Sequence, residues 1–190
     1  MRNSCYHDAM RLTTLSRLTL PLLASFAVAA CSPQYNWRDY SSQDAPFRVM
    51  FPDKPATHTR SVNLDGMNVN MTMTAAQVEG TMFAVGSAEA PDADQAEAAL
   101  QAMKTGMVRN IGATIKSEKV AKAASASGAT QTRSSSIDIE ASGVQNGVPM
   151  RLVGHFESRN KRFYQVIVMG KAKDVAPEQV EMFMASFKLQ

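Results

Sequence analysis

The sequence predicts an α+β fold in which an antiparallel sheet is sandwiched between helices. Runs of alternating apolar and polar residues recur along the chain, which is typical of strands that bury one face. Two connections between such runs, Asp65-Gly66 and Asn146-Gly147, have the composition of two-residue type I′ hairpin turns. Two further stretches, before Gly112 and after Pro177, carry apolar residues at helical spacing and supply the helices.

Four strands are predicted in the first half of the domain. Phe47–Phe51 alternates until prolines interrupt it, which identifies the first of them. Residues 58–64 and Met67–Val78 flank the Asp65-Gly66 turn and are expected to pair as a hairpin. Thr81–Glu89 follows as the fourth strand.

A helix is expected after these strands, ending near Gly112. Asp92 and Gln95 have the spacing of a capping box. Four apolar residues share one helical face: Ala96, Leu100, Met103 and Met107. Residues 114–120 then form a weakly patterned strand. Residues 121–132 are nearly all Ala, Ser, Gly and Thr, so they are predicted to form a mobile loop because they offer too little apolar surface to pack.

The Asn146-Gly147 turn fixes which residues of its two flanking strands face each other. Pairing outward from this turn places Ile137 opposite Phe156, and it makes one whole face of the hairpin apolar. A slip of one residue would scatter these side chains over both faces. The apolar face also contains Ile139, Ala141, Met150 and Leu152.

The last strand and the last helix complete the predicted architecture. Residues 162–170 are apolar on both faces, so this strand is expected to be covered on both sides. Pro177 begins the final helix. Its apolar stripe consists of Val180, Phe183, Met184 and Phe187. The two helices are the expected covers of the sheet.

Residues 1–30 have the pattern of a signal peptide. Arg11 and Arg17 precede an uncharged run that is too short to span a bilayer and that ends in small residues. The sequence Val28-Ala29-Ala30-Cys31 resembles the cleavage site of a bacterial lipoprotein. Met10 is an alternative start. We therefore expect a signal peptide at residues 1–30, a lipidated N-terminus and short tether at 31–44, and one globular domain at 45–190.

Cys31 is the only cysteine after the predicted signal, since Cys5 lies within it. The mature chain therefore has no disulfide framework, thiolate metal cluster or thiol nucleophile. We expect a lipid on the Cys31 sulfur, and the alternative is an ordinary signal peptidase site with a leftover thiol. Ser32, rather than aspartate, follows the cysteine and resembles the outer-membrane sorting signal of enteric-type bacteria. The expected location is therefore the outer membrane, facing the periplasm.

The charge balance gives no case for nucleic-acid binding. The chain has 20 Lys+Arg and 17 Asp+Glu, and three arginines and one aspartate of these lie in the predicted signal. The mature chain thus keeps 17 basic and 16 acidic residues. The sequence also lacks a Gly-rich phosphate loop, a His-Glu-x-x-His motif and a Gly-x-Ser-x-Gly motif. We expect neither an enzyme nor a bound cofactor.

Four short motifs resemble those of a known family. They are Trp37-x-x-Tyr40, then Phe47-x-Val49-x-Phe51-Pro52-x-Lys54-Pro55, then Arg162-x-Tyr164, and finally Phe183-x-x-Ser186-Phe187. Together they are similar to DcrB-like bacterial lipoproteins, which have the PsbP-like fold. The resemblance spans residues 37–189 and rests on structural motifs. It implies an α-β-α sandwich and an exported, often lipidated, accessory protein, and it implies no catalytic residues.

One polar patch is predicted on the second hairpin. The register places Asp138 directly opposite His155, and a carboxylate beside a histidine orients the ring and favours its charged form. Such a pair serves acid–base chemistry or ligand binding in some proteins. The alternative, which we favour, is a cross-strand pair contributing under about 1 kcal/mol. The whole candidate patch is Asp138, Arg151, His155, Glu157 and Tyr164.

The first hairpin offers a weaker candidate for a metal site. Its register places His58 opposite Met73, with Met71 on the same face, and thioether and imidazole ligands suit Cu(I). Arg60 in their midst is unfavourable for a cation. The chain has 13 methionines, and methionine is a common filler of cores, so packing is the favoured interpretation.

These observations predict a lipid-anchored, non-enzymatic accessory protein of the bacterial cell envelope. Its expected partners are the membrane, through the N-terminal lipid, and an envelope protein. The alternative is a periplasmic module that binds a small molecule or a metal such as copper.

Overall fold

The computed structural model describes residues 34–127 and 130–190, which form ten strands and two helices. The strands are β1 (Arg38–Ser41), β2 (Phe47–Phe51), β3 (Ala56–Leu64), β4 (Met67–Val78), β5 (Thr81–Glu89), β6 (Thr114–Ser127), β7 (Thr130–Gln145), β8 (Val148–Arg159), β9 (Arg162–Lys171) and β10 (Lys188–Leu189). The helices are α1 (Ala93–Asn110) and α2 (Pro177–Ser186). Neither helix has both the length and the apolar character that a membrane crossing needs.

Seven strands form one antiparallel sheet in the order β3-β4-β5-β9-β8-β7-β6. Helix α1 covers one face of this sheet, where Leu100 and Met103 pack against side chains of β7, β8 and β9. Helix α2 covers part of the other face, where Phe183 packs against Phe83. The α+β class predicted from the sequence is confirmed.

A second, three-stranded sheet was not predicted. Strands β1, β2 and β10 pair in the order β1-β2-β10 and lie beside α2 on the same face of the large sheet. Phe47, Val49 and Phe51 alternate along β2 and are all buried in this layer. The second face is therefore covered by a helix and a small sheet together, rather than by a helix alone.

Both predicted hairpin registers are confirmed. Ile137 lies opposite Phe156 and Asp138 opposite His155, while His58 lies opposite Met73 in the first hairpin. The turn residues Asp65 and Asn146 have φ angles of 54° and 52°, the left-handed conformation that a type I′ turn requires. The turn chemistry therefore sets the pairing of four of the seven strands.

The mobile loop predicted at residues 121–132 is wrong. Strand β6 continues through Ser127, and β7 begins at Thr130 and pairs with it along its length. The Ala, Ser and Thr side chains supply little apolar surface, but a strand pair is also held by backbone hydrogen bonds, which need no apolar side chains. The expected strand at residues 114–120 is confirmed but is only the first half of β6.

Helix α1 has the predicted N-terminal cap. An Asp92 carboxylate oxygen accepts a hydrogen bond from the backbone N–H of Gln95 at 2.8 Å. The Gln95 amide also donates to the other oxygen of Asp92 at 3.0 Å. Gly112, with φ of 55°, follows the end of the helix and turns the chain into β6.

The packed part of the chain begins before residue 45, where the sequence suggested a boundary. Tyr35 and Trp37 stack on each other, with ring centroids 6.3 Å apart, and both rings meet Phe83 edge-on. Tyr40 on β1 packs edge-on against Phe51. The aromatic residues of the predicted tether are thus part of the domain.

Candidate functional site

The centre of the candidate site is a histidine held between two carboxylates. His155 lies on β8, Asp138 lies directly opposite on β7, and Glu157 follows two residues later on the same face of β8. The Nδ1 atom of His155 is 2.6 Å from Oδ1 of Asp138, and its Nε2 atom is 3.2 Å from Oε2 of Glu157. Both ring nitrogens therefore have a carboxylate partner.

The surroundings favour the charged imidazolium. Burial of the ring opposes the charge, but the hydrogen bonds with Glu157 and Asp138 outweigh it, so the pKa of His155 is raised above its usual value. A protonated ring donates to both carboxylates at once, which no neutral tautomer can do. Asp138, His155 and Glu157 thus form an ionic link between the two strands, which we call the ionic clip.

Two of the five predicted patch residues lie outside this clip. Arg151 donates from Nε to Glu140 at 3.0 Å and from a terminal nitrogen to the carbonyl oxygen of Val175 at 3.3 Å. It therefore ties β8 to the segment before α2. Tyr164 is fully buried, and its burial raises the pKa of the phenol. Its role is packing.

A groove of about 720 Å³ opens beside the clip. The small sheet and α2 leave the β6–β7–β8 part of the large sheet uncovered, and this open face forms the polar floor of the groove. Asp138, His155 and Val153 contribute to the floor. The apolar wall comes from the C-terminal end of the chain and comprises Met184, Phe187 and Leu189. The Phe187 ring lies 6.1 Å from the His155 ring.

The apolar wall of the groove was not predicted from the sequence. Strand β10 contains only two residues and pairs with β2, about 140 residues earlier in the chain, so no local pattern indicates it. The one available signal was that the apolar stripe of the last helix continues to Phe187, beyond the helix itself.

The two methionines of the proposed copper site are engaged in packing. Met71 is buried in the core beneath α1, and Sδ of Met73 accepts a hydrogen bond from the Gln165 amide at 3.2 Å. His58 is exposed, although it shares their face of the sheet. Among residues 34–127 and 130–190, no group of three or more His, Cys, Asp or Glu side chains is arranged to hold a metal ion. Cys31, the predicted lipidation site, lies outside the described residues.

Comparison with known proteins adds no family assignment: no protein-family model matches the chain, and no match was found among the curated proteins.

Proposed function

We propose that the chain is a lipid-anchored, non-enzymatic accessory protein of the bacterial cell envelope, held in the outer membrane through Cys31 and facing the periplasm. The observation that carries the proposal is the Val28-Ala29-Ala30-Cys31 sequence at the end of an uncharged run, directly before a folded domain. The layered α+β architecture supports membership of the PsbP-like sandwich folds, in which the resemblance places the DcrB-like lipoproteins.

The short distance between Cys31 and the domain supports a domain held at the bilayer surface. Tyr35 already packs on Phe83, so three residues separate Cys31 from the first packed side chain. The four Cα–Cα steps from Cys31 to Tyr35 span at most about 14 Å when the chain is fully extended. A thioether-linked diacylglycerol plus an acylated amine exceeds the two signals that stable anchoring needs.

The groove beside His155 is the proposed surface for an envelope protein partner. It combines the apolar wall of Met184, Phe187 and Leu189 with charged side chains of both signs, such as Lys119 and Asp138. An apolar centre with a polar rim is the usual composition of a protein interface.

The geometry also favours a non-enzymatic role for His155. Because both ring nitrogens already have carboxylate partners, neither is open to accept a proton from a substrate.

The partner surface can be tested by photo-crosslinking in intact cells. A crosslinking residue at Val153, on the groove floor, is expected to give a defined adduct with an envelope protein. The matched control is Val144 of the same hairpin, which is exposed and does not line the groove. The adduct at position 153 should disappear in Lys119→Glu and persist in His155→Gln, because Lys119 lies at the surface of the groove while His155 acts structurally. Equal adducts at both valines, or none at Val153, would contradict the proposed surface.

Cell fractionation tests the proposed lipid anchor at Cys31. Wild-type protein should fractionate with outer membranes, whereas Cys31→Ser should be soluble in the periplasm or remain unprocessed. A Cys31→Ser protein that is processed and still fractionates with outer membranes would argue against the lipid anchor.

A further inference from the structure

A second cleft lies on the opposite face of the large sheet from the groove. It has a volume of about 260 Å³ and is bounded by the C-terminal half of α1 and by the hairpin of β3 and β4. Its apolar lining comprises Val62, Leu64, Met71, Met103 and Met107. The cleft is narrow for a ligand site, since such sites are commonly about 300–1,000 Å³, and it therefore suits one thin apolar chain.

Two arginines line this cleft. Arg60 comes from β3 and Arg109 from the last turn of α1. Within residues 34–127 and 130–190, neither guanidinium has a carboxylate within 4.0 Å or a side-chain hydrogen bond, and Asp65 on the cleft wall forms no ion pair with either. By contrast, Arg133 lines a different depression, between α1 and the β6–β7 hairpin. It forms ion pairs there with Asp94 and Glu97.

A glycine of α1 lines the cleft. Gly106 lies in the interior of α1, where glycine costs about 1 kcal/mol relative to alanine. A Cβ atom added at Gly106 would meet no heavy atom within 4 Å, so close packing does not require glycine here. A side chain at this position would instead project into space that the cleft otherwise leaves free.

From this arrangement we propose that the cleft binds an amphiphile with a single acyl chain and an anionic head group. The methionine-rich lining receives the chain, because thioether side chains adapt their shape to a flexible ligand. Arg60 and Arg109 pair with the head group, which is a carboxylate or a phosphate. The site is separate from the groove and does not depend on the proposed membrane anchor.

The β3–β4 hairpin provides a way into the cleft. Only Thr72–Val78 of β4 pairs with β5, so residues 60–64 and 67–71 pair with each other alone. A two-stranded ribbon without a third strand is marginally stable unless it packs on another element. This ribbon packs on α1 through the cleft lining itself, so it is the wall of the cleft whose displacement costs the least free energy.

NMR spectroscopy of full-length protein, labelled at its methionine methyl groups, tests ligand binding in the cleft. The chain carries Cys31→Ser, so that no attached lipid competes, and the probes are sodium decanoate and decyl phosphate below their micelle concentrations. Both are expected to shift the methyl signals of Met71, Met103 and Met107, and to leave Met184 on the other face unchanged. Whichever probe binds more tightly identifies the head group. Decanol and decyltrimethylammonium should bind at least about fivefold more weakly, since they lack the negative charge.

Two variants separate binding from folding. Arg60→Gln with Arg109→Gln should weaken decanoate binding about tenfold, and Arg48→Gln, an exposed arginine on β2, should not change it. Gly106→Leu should fill the cleft and abolish the shifts while keeping the fold, and Gln101→Leu on the other side of α1 should bind normally. Unchanged decanoate affinity in either test variant, equal binding of the cationic probe, or shifts spread over all methionines would overturn the proposal.

Discussion

The charge state of His155 is decided by two opposing effects. Burial of the imidazole disfavours its charge, and the two carboxylates at 2.6 and 3.2 Å favour it. The side chains of Asp138 and Glu157 keep part of their surface in water, which weakens the pairing by screening. The net result is a modest ionic link between β7 and β8, added to the backbone pairing of the two strands.

The charge state of this clip predicts a pH-dependent stability. The folded pKa of His155 is raised above its unfolded value, so its contribution is fully present below the unfolded pKa of about 6.5 and is lost as the pH rises through the folded pKa. The free energy of unfolding of wild-type protein, relative to His155→Gln, should therefore be largest below about pH 6.5 and decrease as the pH rises through the folded pKa. Urea unfolding at several pH values measures the difference. A difference that stays constant, or that grows with pH, would show that the carboxylates do not stabilise the charged ring.

At the level of elements, the β7–β8 hairpin carries the core beneath α1. Phe156 is fully buried there, together with Ile137, Ile139 and Leu152. Its ring lies against Gly154, where an added Cβ would come within 3.0 Å of it. The glycine thus leaves room for the aromatic ring, and the ring in turn fills the space above the glycine.

Truncation of this ring is expected to be costly. Phe156→Ala should lower the free energy of unfolding by roughly 3–5 kcal/mol, because it removes buried contacts and leaves a cavity. Val144→Ala is the matched control in the same hairpin, since Val144 is 61% exposed and its loss should cost about 0.5 kcal/mol or less. Chemical denaturation measures both values. A cost near that of the control for Phe156→Ala would mean that this face of the hairpin does not pack against α1.

The sequence was informative wherever structure is decided locally. Turn pairs such as Asn146-Gly147 set the registers, and the spacing between Asp92 and Gln95 marked the start of α1. The register in turn placed Asp138 opposite His155, so the centre of the site was predictable. The two-residue β10 was not, because its pairing with β2 depends on tertiary packing rather than on any local pattern. The hydrogen bond from Arg151 to the Val175 carbonyl oxygen was not predictable either, because Val175 lies outside the hairpin that carries Arg151.

At the scale of the whole molecule, the two faces of the large sheet have different proposed uses. One face carries α1 and the cleft with Arg60 and Arg109, and the other carries α2, the small sheet and the groove beside His155. The groove forms because the small sheet covers only part of its face.

The central claim is that Cys31 carries a lipid, and intact-mass and N-terminal peptide analysis of the membrane-extracted protein tests it most directly. If Cys31 is lipidated, the mature chain should begin at Cys31 and carry the added mass of a diacylglycerol on the sulfur and an acyl chain on the amine. Cys31→Ser should show no such mass. A membrane-extracted wild-type chain that begins at another residue, or that begins at Cys31 with a free thiol, would contradict the account.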